Sequence, residues 1–405
     1  MISVNNVFNF YNKAYYLNTV FKYKTSSSLP SKNYILYNRY VLYKYNKIVH
    51  FTSKSKLNFV FDIEKEQLAF RKSLSAVLES LLKNSMYKEL PEVEKWLQKL
   101  LQENLVGGKN RRGFSTVMAY GMTEKPEKVN EHSLYLARTL GWCVEMFQAY
   151  GIILDDIMDS SSTRRGNVCW YRRPDVGLSC AINDSILVYN NIFEILKTHF
   201  RNTPNYIDIF HLITKVMCLT AAGQHLDFIT AKSPKVYSTF TINRYNAIVK
   251  YKTAYYTYNL PVNLGLLLTS NMEREMLEPV NDICIKLGTL FQMQDDYIDC
   301  YGDETVTGKL GTDIQEGKCT WLAVQALQRC TNNQRKVFEV CYGSPEPAHI
   351  ERVKRIYHEL KIPKMYRAEE QTLYEEILQQ TRSISRDAIS SLLTALLEIT
   401  YRRQL

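Results

Sequence analysis

From Asp62 to the C-terminus, apolar residues recur at three- and four-residue steps and seldom at every second position. "FRKSLSAVLESLLKN" sets Phe70, Leu74, Val77, Leu78 and Leu81 along one side of a helix. "SLYLARTLGWCVEMFQAYGIILDDIMD" is apolar nearly all round, the pattern of a helix enclosed at the centre of a bundle. "AISSLLTALLEIT" repeats the helical spacing near the chain's end. Alternating strand patterns are scarce, and proline and glycine punctuate the helical runs at Pro91, Gly107–Gly108, Pro174–Gly177 and Gly302–Gly311. The spacing predicts one all-α domain over residues 62–405, with no internal repeat and no linker to divide it.

Composition adds a contrast between the two ends. At 45% apolar, 405 residues can bury one large core or two ordinary ones. No Asp or Glu precedes Asp62, and residues 1–61 hold eight lysines and Arg39, or +9 of the +10 net charge. The remaining +1 leaves the body near neutral, so no nucleic-acid surface is implied. The basic extension is rich in Lys, Asn, Tyr and Ser, which suits a mitochondrial transit peptide, although its arginines are few. A biased extension without a targeting role is the alternative. No stretch approaches the ~18 apolar residues of a membrane span, and "NLPVNLGLLL" is the nearest. Nine cysteines without a CxxC pair indicate free thiols and neither a disulfide framework nor a zinc site. Cys169 and Cys319 read as packing residues, His225 as a helix residue and not a ligand, and the 29 tyrosines as core and compositional bias.

The candidate chemistry begins in "LDDIMDSSSTRRG". Asp155 and Asp159 are four apart, so on a helix they share a face with about 6 Å of rise between them, and Asp156 flanks them. Carboxylates so placed repel one another unless a cation lies between them. Oxygen ligands with room for phosphate suit magnesium, whereas a solvated acidic helix end is the plain reading. The motif then recurs 140 residues later as Asp295, Asp296 and Asp299. Cations follow both copies, Arg164 and Arg165 after the first and Lys309 and Lys318 after the second. A third basic set, "GGKNRRG", holds Lys109, Arg111 and Arg112. Arginine forks and lysine point charges grip phosphate oxygens, so acid for metal and base for phosphate are set side by side. Two such clamps around an apolar hollow suit a reaction in which a diphosphate leaves and water must be kept out.

These segments, with "LGWCVEMFQAYGIILDDIMDSSSTRRGNVCWYRRPDVG", "GQHLDF", "YKTAYYTYNLP" and "FQMQDDYIDCYGDETVTGKLGTDIQEGK", closely resemble the farnesyl diphosphate synthase family of trans-prenyltransferases, as an insect-like member. The resemblance runs from about Phe70 to the C-terminus. It implies an isoprenoid-synthase fold of ten or more helices around a large cavity, usually as a homodimer. It also implies magnesium, three ions per site, with manganese or cobalt as substitutes. The implied reaction joins isopentenyl diphosphate to dimethylallyl or geranyl diphosphate, giving geranyl or farnesyl diphosphate. By motif, Asp155, Asp156, Asp159, Asp295, Asp296 and Asp299 would bind metal. Arg164, Lys252, Lys309 and Lys318 would hold the allylic diphosphate. Lys109, Arg112, Gln148 and Arg165 would hold isopentenyl diphosphate. Lys252, Thr253 and Gln292 would steady the developing cation. The terminal "YRRQL" resembles a basic tail that closes over the site through Arg402 or Arg403. Asp227 would lie beside the substrate or pair with a lysine.

The chain departs from the family at four places. Arg111 stands for an asparagine and Glu304 for a proline. Tyr189 takes the place of a common glutamate. Tyr150 and Gly151 occupy the two chain-length positions, where farnesyl-specific members usually carry two aromatics. Glycine there removes one plug and either lengthens the product or leaves space for another helix. A terpene synthase of the same fold is the alternative activity, a geranylgeranyl diphosphate synthase or a non-catalytic partner subunit less so. Retention of Lys109, Arg112, Gln148 and Arg165 favours condensation, because a terpene synthase does not hold isopentenyl diphosphate.

Overall fold

The computed structural model describes residues 61–83, 86–232, 236–270, 274–303 and 311–401. The basic extension, Glu304, Lys309, Arg402 and Arg403 lie outside the described residues. Among those residues the chain is helical throughout except for one short hairpin.

Helix α1 (Ile63–Lys83) opens with Glu64 and Glu66, which favour its positive end, and buries Phe70, Val77, Leu78 and Leu81. Leu74, predicted on the same stripe, is half-buried. Helix α2 (Pro91–Leu105) begins on proline, whose missing N–H costs nothing at that position. Next come α3 (Arg111–Thr123) and the long α4 (Glu131–Met158). A capping box starts α4: Ser133 N–H donates to Asn130 Oδ1, and Asn130 N–H donates to Ser133 Oγ, both at 3.0 Å.

As its pattern predicts, α4 is buried on nearly every side, between α3 and α5 (Gly177–Phe200). Its closest approach is to α3. A Cβ on Gly113 would lie 2.4 Å from the Gly141 carbonyl oxygen, so the two backbones touch. Phe70 covers this crossing and stacks on Trp142 with centroids 4.5 Å apart.

After α4 the hairpin pairs β1 (Thr163–Arg164) with β2 (Asn167–Val168). Arg165 at φ 55° and Gly166 at φ 75° form its two-residue turn, a left-handed pair compatible with strand twist. Helix α6 (Tyr206–Ala231) is long and apolar enough, by length and composition, to cross a membrane. It is the one such helix among the described residues and makes no strong case for a span, since an apolar helix packed on a bundle passes the same test: its face of Ile209, Ile213, Val216 and Met217 is buried.

Helix α7 (Ile242–Ile248) runs without interruption into a π-helix (Val249–Asn259) and then α8 (Leu260–Leu267). The π-helix packs between α6 and α9 (Leu277–Tyr301). Gly223 of α6 and Gly288 of α9 make that fit possible. A Cβ on either would come within 2.2 Å of Lys252 N or 2.3 Å of Ala254 Cβ, respectively. A single turn, α10 (Asp313–Glu316), precedes α11 (Trp321–Arg329), α12 (Asn332–Cys341) and α13 (Pro347–Glu359). Helices α14 (Ile362–Arg382) and α15 (Asp387–Tyr401) complete the bundle, with Tyr366 of α14 stacked 4.0 Å from Tyr297 of α9.

Candidate active site

A cavity of about 1060 Å³ opens where α4, α6, the π-helix and α9 converge. Phe147, Tyr150, Met217, Tyr256 and Phe291 line its apolar part. Asp155, Asp159, Asp227, Asp295, Lys252, Lys318 and Arg164 line the charged part. The two acidic motifs, far apart in the chain, therefore face one space.

Their carboxylates do not all point into it. Asp155 and Asp159 follow the helical spacing, and Asp159 caps the end of α4. Asp156 is buried instead and accepts both Nε and Nη2 of Arg164, the former at 2.9 Å. On α9, Asp295 and Asp296 both line the cavity, Asp296 from a nearly buried position. Asp296 accepts Gln292 Nε2 at 2.9 Å and the Trp321 N–H at 2.8 Å. Asp299 accepts the Asp313 N–H at 2.9 Å and so ties α9 to the turn that carries Lys318.

Two lysines knit the charged part together. Lys252 Nζ donates to Asp227 Oδ2 at 2.6 Å and lies 3.4 Å from Asp155. Lys318 Nζ donates to Asp159 Oδ1 at 2.7 Å and approaches Asp227 at 3.3 Å. Burial would raise the Asp155 and Asp227 carboxyls, but Lys252 and Lys318 outweigh it and hold both below the ordinary range. Burial would likewise lower Lys252, yet Asp227, Asp155 and Asp159 raise it well above its ordinary value. Asp159 moves the other way, raised by burial and by the neighbouring Asp155 charge. Burial pushes Asp296 up to about 7.

The remaining predicted residues fall into place by element. Thr253, on the π-helix, donates to Gln292 Oε1 at 2.8 Å. Gln148 and Arg112 line the cavity, and Arg112 donates to Tyr256 Oη at 2.9 Å and Thr257 Oγ1 at 3.1 Å. Arg164 ends β1 and Arg165 opens the left-handed turn, so the hairpin separates its two arginines. Arg164 turns to Asp156, while exposed Arg165 lies beside Gly108 and donates to the Asn104 carbonyl at 3.4 Å. Lys109 is exposed in the same loop, and neither it nor Arg165 lines the cavity. Tyr150 and Gly151 both line it, and Tyr189 packs on Tyr150 with centroids 5.3 Å apart. Cys169 and Cys319 are buried, and His225 is exposed on α6 at the cavity wall.

The polyprenyl synthetase family model matches residues 94–360, the span that carries all these elements. This chain belongs to the polyprenyl synthetase family. It is 40% identical over 332 residues to farnesyl pyrophosphate synthase 1 of Lupinus albus, covering 82% of this chain and 96% of the relative. Farnesyl pyrophosphate synthase of Murgantia histrionica is 42% identical over 308 residues, 76% of this chain and 75% of that one. The solved T. brucei farnesyl diphosphate synthase, complexed with risedronate, superposes with a TM-score of 0.78 at 31% identity. That alignment covers 84% of this chain and all of the other. Our chain is thus an isoprenyl diphosphate synthase with the all-α fold expected of it.

Several residues of this polyprenyl synthetase carry the site without having stood out in sequence. Gln224 donates to Asp155 Oδ1 at 3.0 Å. Gly223 and Gly288 admit the π-helix, and Glu145 sits under the "GGKNRRG" loop. "GQHLD" holds a signal for the first of these, since a polar run interrupts an apolar helix there. A π-helix winds with i→i+5 bonds, so the three- and four-residue steps of an α-helix do not reveal it. The family implies dependence on a divalent metal. The cavity carboxylates of Asp155, Asp159 and Asp295 offer the oxygen-only donor set that a hard cation takes, so the residues fit. Three acidic groups gather around Lys318 Nζ, Asp159 at 2.7 Å, Asp227 at 3.3 Å and Glu316 at 3.8 Å, and among the described residues no such group is set to hold a metal ion as it stands. Lys252 and Lys318 lie among the aspartates instead and neutralise their charge.

Proposed function

We propose that this isoprenyl diphosphate synthase condenses isopentenyl diphosphate with dimethylallyl or geranyl diphosphate to give geranyl or farnesyl diphosphate. The observation that carries the proposal is the division of one cavity into a charged and an apolar part, with Asp155, Asp159 and Asp295 facing Lys252, Lys318 and Arg164. The allylic C–O bond breaks, the isopentenyl double bond attacks the resulting cation, and the isopentenyl unit loses a proton.

Asp155, Asp159 and Asp295 would hold magnesium, three ions in all. A divalent ion held there would supply positive charge to the departing diphosphate and so lower the barrier to ionisation. Asp296 lines the cavity beside Asp295 and would join that set while it fixes Gln292, and Asp156 and Asp299 support the set from behind by fixing Arg164 and the Lys318 turn. Arg164, Lys252 and Lys318 bind the allylic diphosphate, with Lys309 as a further contact. Thr253 and Gln292, already bonded to each other, present oxygen dipoles to the developing cation. Lys109, Arg112, Gln148 and Arg165 hold isopentenyl diphosphate. Phe147, Tyr150 and Phe291 exclude water from the cation.

Two finer readings accompany this one. The chain works as a homodimer through α5, where Leu178, Ile182 and Ile186 form an exposed apolar stripe at four-residue spacing. Residues 1–61 act as a mitochondrial leader for a synthase domain over 62–405, supported by their acid-free composition. Farnesyl pyrophosphate synthase 1 of Arabidopsis thaliana, 39% identical, is a mitochondrial relative.

One assay tests the activity. Purified protein with magnesium and isopentenyl diphosphate is given each of the C5, C10 and C15 allylic diphosphates, and products are extracted before and after phosphatase. New prenyl diphosphates of ten or fifteen carbons, visible only after phosphatase, are expected. Hydrocarbon or alcohol released without phosphatase would refute condensation in favour of a terpene synthase.

A further inference from the structure

Glu145 has 4% of its surface exposed and lies one turn beyond Gly141, the point where α4 touches α3. Its Oε1 accepts the Gly113 N–H at 2.7 Å, and its Oε2 accepts Asn110 Nδ2 at 3.2 Å. Those two donors bracket Arg111 and Arg112. The Gly113 N–H belongs to the first turn of α3 and has no partner within its own helix. Asn110 is held in the left-handed conformation at φ 48°, with Nδ2 also reaching the Leu105 carbonyl at 3.3 Å. One buried carboxylate therefore sets both the entry into α3 and the exit from α2.

We infer that Glu145 is a positioning residue for isopentenyl diphosphate, holding the "GGKNRRG" backbone so that Lys109 and Arg112 meet that diphosphate together. The inference rests on the reading of this loop as the isopentenyl diphosphate holder. A buried carboxylate is a costly way to cap a helix, since a serine or asparagine does so without burying charge. The basic loop compensates for that cost. Burial raises the Glu145 carboxyl, while the Gly113 N–H and the nearby Arg112 charge favour its ionised form. The charges that act on Glu145 are those of Arg112 and Arg165, whereas Lys252 and Lys318 act on Asp155, Asp159 and Asp227. Disturbing Glu145 should thus weaken one substrate and spare the other.

The experiment varies each substrate separately at saturating concentration of the other, in the full chain with magnesium. Glu145→Gln keeps the acceptor for Gly113 but turns an amide donor toward the Asn110 amide. KM for isopentenyl diphosphate should rise about tenfold, the scale of one mispaired buried hydrogen bond, with KM for the allylic substrate changed less than about twofold. Adding Asn110→Asp restores a donor–acceptor pair with position 145 at the same total charge but gives up the bond to the Leu105 carbonyl, and should recover part of the loss. Should Glu145→Gln fail to fold by circular dichroism, Asn110→Ala removes one of the two bonds and should raise the same KM by roughly threefold. An equal rise in both KM values, a fall in kcat alone, or no change would overturn the inference. Lys109→Ala is the control for the loop itself. If it leaves KM for isopentenyl diphosphate unchanged, the loop reading fails and the inference fails with it.

Discussion

Asp227→Asn removes one negative charge from the cavity while keeping the side chain's size, and it isolates the electrostatic role of that residue. Asp227 Oδ2 lies 2.6 Å from Lys252 Nζ and 3.3 Å from Lys318 Nζ. At an effective dielectric near 20, these separations correspond to attractions of about 6 and about 5 kcal/mol. Most of that offsets the cost of desolvating three ions. Leaving a buried ion without its partner costs about 3–5 kcal/mol when both effects are counted. Here each lysine keeps a second carboxylate, Asp155 at 3.4 Å and Asp159 at 2.7 Å. The low end applies, and a loss of about 3 kcal/mol is expected. Urea denaturation of metal-free protein at pH 7 should show a lower midpoint with an unchanged slope. The sign of the pH dependence follows from the depressed Asp227 carboxyl, which Lys252 and Lys318 hold below 3.8 against burial. Its contribution is complete above 3.8 and disappears as pH falls through the lower folded-state value. The gap between the two proteins should be flat at neutral pH and close only in acid. A difference under about 0.5 kcal/mol at pH 7 would show that Asp227 does not hold the two lysines, and the electrostatic account would fail with it.

Three further predictions use other parts of the site. Asp155→Ala or Asp295→Ala should lower turnover by at least about a thousandfold with an unchanged circular dichroism spectrum, because each removes metal charge from the leaving group. Chelation of divalent ions should abolish the same activity reversibly, and near-normal turnover in either variant would contradict the metal assignment. Gly288→Ala places a methyl 2.3 Å from Ala254 Cβ and forces α9 away from the π-helix. Overpacking of this kind costs about 1–3 kcal/mol, and kcat should fall because the Thr253–Gln292 pair spans that contact; an unchanged kcat would speak against it. Gly151→Phe meets open space, since no atom lies within 4 Å of a Cβ there. Products by chromatography should become shorter or stay the same, and longer chains would show that the cavity floor lies elsewhere.

Local pattern was enough to find the helices and the chemistry they carry. The apolar spacing marked α1, α4 and α15, and the four-residue step put Asp155 and Asp159 on one face. These are properties of a helix's own geometry, so neighbouring residues suffice to state them. The charges on "DDIMDSSSTRRG" and "FQMQDDYID" likewise named the reaction class before any fold was known. Local pattern did not divide the six aspartates. Asp156 turned inward to Arg164 of the hairpin, while Asp296 stays at the cavity wall, held by Gln292 one turn away and by the Trp321 N–H of another helix. Nor did it show why Gly223, Gly288, Gly113 and Gly141 must be glycine, since each answers to a backbone that is remote in sequence. Asp227 remained open between substrate and lysine until α6, the π-helix and the Lys318 turn came together around it. Spacing along one element is a local property; which group a buried charge faces is decided by whatever packs against it, and only the tertiary structure supplies that.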